Sequence, residues 1–215
     1  MNIKACIFDL DGVIVDTVPA HYIAWKSIAD ELGIPFNEED NEQLKGVSRI
    51  QSMKNILAIG KRTMSDEEII ELTEKKNNVY VDIISKMTPD DILPGVNDFL
   101  QLLEDNNIPK AIGSSSKNTP TILKAVGLAN RFDAIVDGNG VKHSKPDPEV
   151  FLKGAEALNM EPAECLVFED AISGVAAAKA GGMKCIGVGD AEILGDADLV
   201  VPDMTKVDLT TLDNL

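Results

Sequence analysis

Short, mostly apolar runs recur along the chain at 5–8, 110–113, 134–136, 165–168, 184–188 and 199–201. They are continuous rather than alternating, the pattern of strands buried on both faces. Between most of them the apolar positions follow a helical period. Val96, Phe99, Leu100 and Leu103 share one helical face over 96–104, and 119–126 and 148–158 behave alike. The alanine-rich run 172–180 stops at Gly181-Gly182, a helix terminator. Strands separated by helices predict an α/β fold, a parallel Rossmann-like sheet covered by helices on both faces.

The stretch 17–88 departs from this rhythm. It holds no convincing strand and predicts helices over 20–32, 39–43, 48–59 and 66–86, the last opened by the capping box Ser65-Asp66-Glu67-Glu68. An all-helical lid domain (17–88) is therefore expected inside an α/β core domain (1–16 and 89–215). The insert leaves the core directly after the first strand. Ligands of open α/β sheets bind at the carboxyl ends of strands, so the insert is placed to cover a site there.

Composition narrows the function. Of 215 residues 44% are hydrophobic but only 4% aromatic, so a core mostly of Ile, Leu, Val and Ala is expected. A formal net charge of −16 argues against nucleic acid and anionic membranes as partners. It also means that an anionic substrate needs cations gathered locally. Cys6, Cys165 and Cys185 each lie in an apolar run, which suits reduced thiols and a cytoplasmic location rather than a disulfide framework. No apolar run approaches a membrane span, and Asp9 comes too early for a signal peptide.

The chemistry concentrates where strands end. Asp9 and Asp11 follow the first strand two residues apart, and in an extended chain such residues share a face. Partial burial of two neighbouring anions demands a compensating cation. GSSSKN (113–118) follows the second strand, Lys145 stands in KPDP (145–148), and Glu169-Asp170 follow the strand at 165–168. Hard oxygen ligands at one sheet edge suit Mg²⁺, and a serine with a lysine suits a phosphate. Aspartate is a competent nucleophile toward phosphoryl groups. Neither G-x-x-x-x-G-K-[ST] nor G-x-G-x-x-G occurs, and His21 and His143 lack a zinc spacing. Taken singly, Ser116 reads as a helix cap, Lys45, Arg49 and Lys76 as solvated helix residues, and Trp25 as core packing.

DLDGV, Ser114, Lys145-Pro146 and Glu169-Asp170, in that order, resemble the four motifs of the haloacid dehalogenase superfamily over essentially the whole chain. The resemblance implies Asp9 as nucleophile and Asp11 as general acid–base. It implies Ser114 and Lys145 on the transferring phosphoryl group. For Mg²⁺ it implies Asp9, the Asp11 carbonyl and Asp170, with Glu169 in or next to the metal shell. The lid segment EQLKGVSR, with Thr17, His21 and Trp25 before it and Lys76 after it, is similar to that of the superfamily's sugar-phosphate mutases. This implies interconversion of β-glucose 1-phosphate and glucose 6-phosphate through an aspartyl phosphate, with glucose 1,6-bisphosphate as intermediate and primer, in a monomer. Trp25, Lys45, Gly46, Val47, Ser48, Arg49 and Lys76, with Ser115, Ser116, Lys117 and Asn118, would then bind the substrate. His21 and Thr17 would assist proton transfer. Ser115, where a small apolar residue is usual, and Asp147 depart from the mutase pattern and leave the sugar open. A phosphatase of the same superfamily and an inert phosphate-binding scaffold remain the alternatives.

Overall fold

The structure is a computed structural model that describes residues 3–45 and 47–215; Gly46, expected to bind substrate, lies outside the described residues. The six expected strands form: β1 (Ala5–Phe8), β2 (Lys110–Gly113), β3 (Ala134–Val136), β4 (Cys165–Glu169), β5 (Lys184–Val188) and β6 (Leu199–Val201). They make one parallel sheet in the order β3-β2-β1-β4-β5-β6. The chain leaves β1 toward β2 on one side and returns as β4 on the other. The strand order therefore reverses beside β1, where a crevice must open at the carboxyl ends.

Between β1 and β2 run α1 (Val18–Glu31), α2 (Glu38–Glu42), α3 (Arg49–Ile59), α4 (Asp66–Ile84) and α5 (Val96–Asp105). The first four make the insert. Pro19 in the opening turn lets α1 begin two residues earlier than its apolar period suggests. Capping boxes form at Asn37 and Ser65, and Ser48 caps α3 instead of belonging to it. The insert has its own apolar centre, including Trp25, Phe36, Met53 and Ile56. Ala20, Ala24, Tyr80 and Ile84, however, join the larger cluster under the sheet. The feet of α1 and α4 are thus rooted in the core, and we propose 17–88 as the lid on that basis.

After β2 come α6 (Thr119–Ala125), α7 (Glu149–Ala157), α8 (Ile172–Ala180) and a short α9 (Leu209–Asp213) that the apolar period did not predict. α5 and α6 cover one sheet face, and α7 and α8 the other. At the sheet centre Phe8 stacks on Phe168 at 4.7 Å, with Phe99 edge-on at 5.4 Å to Phe168. All three cysteines are buried and free.

The structure corrects the local picture at the first motif. β1 ends at Phe8, and Asp9 and Asp11 are not neighbours on one strand face. The Asp9 N–H makes the last ladder bond, to the Phe168 carbonyl at 2.9 Å. The chain then coils, with the Ile14 N–H on the Leu10 carbonyl at 3.0 Å and the Gly12 N–H on the Val15 carbonyl at 2.9 Å. Gly12 permits this with φ +85.

Candidate active site

Parallel register decides what meets at the sheet edge. Phe8 pairs with Ile112 on one side and Phe168 on the other. Asp9 and Glu169-Asp170, which follow directly, and Ser114, two residues past Ile112, therefore emerge at the same edge. Lys145 arrives on the loop before α7, through a cis Lys145–Pro146 bond. Its Nζ lies 2.5 Å from Asp9 Oδ1 and 2.6 Å from Glu169 Oε1, in a fully buried setting. Burial opposes the lysine's charge, but the two carboxylates outweigh it and hold its pKa above the ordinary value. Glu169 Oε2 accepts the Ala171 N–H at 2.7 Å. Both of its oxygens are thus engaged by protein donors, and Glu169 stands beside the expected metal ligands as the residue that seats Lys145. A Cβ on Gly174 would fall 1.8 Å from Glu169 Oε1, so α8 can approach only through a glycine.

The remaining acids repel one another. Burial and Glu169 push Asp170 up to about 8, and burial and Asp9 push Asp11 up to about 6. The cluster is short of positive charge, and its donors are all oxygen. A Cβ on Gly12 would sit 2.2 Å from Asp170 Oδ2, so the backbone at 11–12 closes on Asp170 only because residue 12 has no side chain. A hard divalent cation fits this donor set. Lys45 supplies part of the missing charge, 3.2 Å from Asp170 Oδ2 and 2.9 Å from Glu42.

Above these groups lies a cavity of about 460 Å³ between the sheet edge and the lid, lined from both sides. Every described residue expected to hold substrate borders it: Trp25, Lys45, Val47, Ser48, Arg49 and Lys76 from the lid, Ser115, Ser116, Lys117 and Asn118 from the core. Several have duties besides. The Ser48 hydroxyl accepts the Gln51 N–H as a helix cap, and the Ser116 hydroxyl accepts the Asn118 N–H. Ser114, expected on the transferring phosphoryl group, does not itself line the cavity: it is fully buried, and its hydroxyl accepts the Ser116 N–H at 3.0 Å. Ser115 Oγ is buried without a partner. The lid touches the core through Asn118 Nδ2 on Asn77 Oδ1 at 2.9 Å and through Ser173 Oγ on the Lys45 carbonyl at 3.4 Å.

Lys76 is the unusual cation. It is 3% exposed, its Nζ 4.8 Å from the Trp25 ring centre and 4.4 Å from that of Tyr80. Nζ lies 3.0 Å from His21 Nδ1. Burial pushes His21 well below its ordinary pKa, with Lys76 and Arg49 adding to the effect. A neutral ring accepts at Nδ1 and turns Nε2–H toward Asp11 Oδ1, 3.8 Å away. Thr17 Oγ1 donates to the same Asp11 oxygen, as does the Tyr80 hydroxyl at 3.3 Å. Arg49 has no carboxylate in ion-pair range among the described residues, so Arg49 and Lys76 present unneutralised charge to the cavity.

That charge has a stability cost that can be measured. Burial and Arg49 lower Lys76 to about 7. Unfolded, it would titrate near the ordinary lysine value of 10.5. Between these values the unfolded chain binds a proton that the folded one does not, so stability rises with pH across that window. Below it the burden is full, on the order of a few kcal/mol. Lys76→Met keeps the stem and removes the proton. Wild type should therefore gain on the variant as pH rises from about 7 to about 10 in ligand-free urea unfolding; parallel curves would show Lys76 to be solvated.

Tyr80 and Asn77 carried no motif and were not read from the sequence, although Tyr80 follows Lys76 by four residues and so shares its helix face. The other polar cluster, His143, Asp147 and Glu149, is committed to the loop. Glu149 accepts the N–H groups of Lys142 and His143 and pairs with Lys153 at 2.7 Å.

The family model for haloacid dehalogenase-like hydrolases matches residues 3–182. The chain is 44% identical over 211 residues to the β-phosphoglucomutase of Bacillus subtilis, covering 97% of this chain and 93% of that protein. A crystal structure of β-phosphoglucomutase from Clostridium difficile superposes with a TM-score of 0.94 at 41% identity, over 99% of this chain and 96% of that one. The phosphorylated carbohydrates phosphatase of Thermotoga maritima is 31% identical over 85% of this chain and 83% of its own length. The four strand-end motifs, the parallel sheet and these likenesses agree: the chain belongs to the haloacid dehalogenase-like hydrolase family, and with that membership comes the family's general requirement for a divalent cation.

Proposed function

We propose that the protein is a Mg²⁺-dependent β-phosphoglucomutase, interconverting β-glucose 1-phosphate and glucose 6-phosphate. One observation carries the reading beyond the likeness to known mutases. The cavity wall carries two cationic places: Lys145 beside Asp9, and Arg49 with Lys76 on the lid side. A phosphatase needs the first. A substrate carrying phosphates at both ends needs both.

Asp9 is the nucleophile and carries the phosphoryl group between sugar oxygens. Lys145 and Ser114 hold the phosphoryl oxygens, and Glu169 keeps Lys145 in place. Asp11 takes the proton from the attacking sugar hydroxyl and returns it to the departing one. Asp9, the Asp11 carbonyl and Asp170 would hold Mg²⁺, which supplies charge neutralisation around the transferring group. Arg49, Lys76, Ser116, Lys117 and Asn118 bind the phosphate that is not reacting. Glucose 1,6-bisphosphate exchanges its two ends between the two places and also primes Asp9. The protein acts as a monomer in this reading. No helix among the described residues is long and apolar enough to cross a membrane.

The test is Arg49→Ala, read as a ratio. Loss of a charge-assisted contact, worth roughly 1.5–3 kcal/mol per bond, should cut sugar-phosphate isomerisation at least about tenfold. Hydrolysis of acetyl phosphate, which has no second phosphate, should fall far less. A coupled assay for glucose 6-phosphate and a phosphate-release assay give the two rates. An unchanged ratio would favour the phosphatase reading.

A further inference from the structure

We propose that Tyr80 is a positioning residue for the acid–base carboxyl: its hydroxyl helps pin Asp11 through Oδ1 and so assigns proton transfer to Oδ2. The inference rests on the reading of Asp11 as the general acid–base and adds to it the atom and the residue that selects it.

Three groups converge on Oδ1 and come from three turns of the lid and its root. They are Thr17 Oγ1, the Tyr80 hydroxyl at 3.3 Å and His21 Nε2 at 3.8 Å. A carboxyl without such partners rotates and presents either oxygen. Donors on one oxygen only break that equivalence, leaving Oδ2 for the substrate. In the transfer step Oδ2 accepts the proton of the sugar hydroxyl while that oxygen bonds to phosphorus and the bond from phosphorus to Asp9 breaks. In the reverse step the same atom returns the proton.

Packing does not account for the hydroxyl. The Tyr80 side chain is 1% exposed and already satisfied as a ring. It lies 4.2 Å from the His21 ring and under the Lys76 ammonium at 4.4 Å. Phenylalanine would make both contacts. Only the phenolic oxygen reaches Asp11, across the boundary between α4 and the core. Orientation set before substrate arrives is entropy removed from the chemical step.

Tyr80→Phe, Asp11→Asn and the double variant form the test, with kcat and KM for β-glucose 1-phosphate, turnover of acetyl phosphate, and thermal unfolding followed together. Tyr80→Phe should lower kcat for the sugar phosphate about tenfold, with KM within about twofold and a clearly smaller loss on acetyl phosphate, whose leaving group needs no proton. In the Asp11→Asn background the tyrosine change should cost nothing further, because there is no carboxyl left to orient. Three results would overturn the proposal: an unchanged kcat in a folded Tyr80→Phe protein, equal losses on both substrates, or the same loss with and without Asp11. If Asp11→Asn itself shows no selective loss on the sugar, the acid–base reading falls and the proposal falls with it. If Asp11→Asn is selective and Tyr80→Phe is silent, only the role of Tyr80 is lost.

Discussion

Asp9→Asn should abolish phosphoryl transfer while leaving the fold intact. The amide nearly matches the carboxylate in shape, but its oxygen is a poor nucleophile, and no neighbouring carboxylate is held at the same place. Glu169 is locked between Lys145 and the Ala171 N–H, and Asp11 lies on the coil beyond β1. Stability should hold because the buried lysine keeps Glu169 at 2.6 Å as its partner. Removing one anion also relieves the repulsion that Asp9 adds at Asp11 and Asp170. Metal-free variant should therefore melt within about 5 °C of wild type, or above it. Sugar-phosphate turnover should fall to background, as should acid-stable labelling of the chain by the bisphosphate. Turnover within tenfold of wild type, in protein shown free of contaminating activity, would remove Asp9 as the nucleophile.

Asp11→Asn should cost about 10²–10⁴-fold on the sugar phosphate, the usual contribution of proton transfer. The reason lies in how the carboxyl is held. Burial and Asp9 push it up to about 6, close enough to neutrality to take a proton in one half-reaction and give it in the next. The loss should depend on the leaving group. A sugar alkoxide needs protonation, whereas p-nitrophenolate leaves without it, so p-nitrophenyl phosphate should lose much less. Side-by-side rates on the two substrates decide the point. Equal losses would mean that residue 11 serves the metal or the turn and not the proton.

The fold was legible because burial writes itself into composition. Strands covered on both faces keep polar residues to their ends, as Lys110, Glu169 and Lys184 show, so β1, β2, β4 and β5 stand out as apolar runs whose bounds the structure shifts little. Helix ends were less legible, since they depend on single caps. Ser48 moved outside α3, and α4 ended at Ile84 rather than at 86, where no glycine or proline marked the stop. α9 has five residues, too few to establish a period.

In the site, the residues whose chemistry is scarce were found from sequence: adjacent acids, a serine after a strand, a lysine before proline. What could not be found is who faces whom. Asp9 and Asp11 meet through a coil that Gly12 permits, not through a strand pleat, because the ladder ends with the Asp9 N–H. Glu169 and Asp170 are neighbours in the chain, yet one is committed to Lys145 and the other faces Lys45. Tyr80 and Asn77 carry no local signal of a role at the site; only the packing of α4 brings Tyr80 to Asp11 and Asn77 to Asn118. The sequence by itself determined the apolar order of strands and helices and the set of reactive groups at strand ends, since these follow from local solvation and from chain position. The tertiary structure decided which oxygen of each acid is engaged, which cations lack partners and which lid residues reach the core. Those depend on parallel register and helix packing between segments as far apart as Asp11, Tyr80 and Lys145, and no local pattern encodes a distance across the fold.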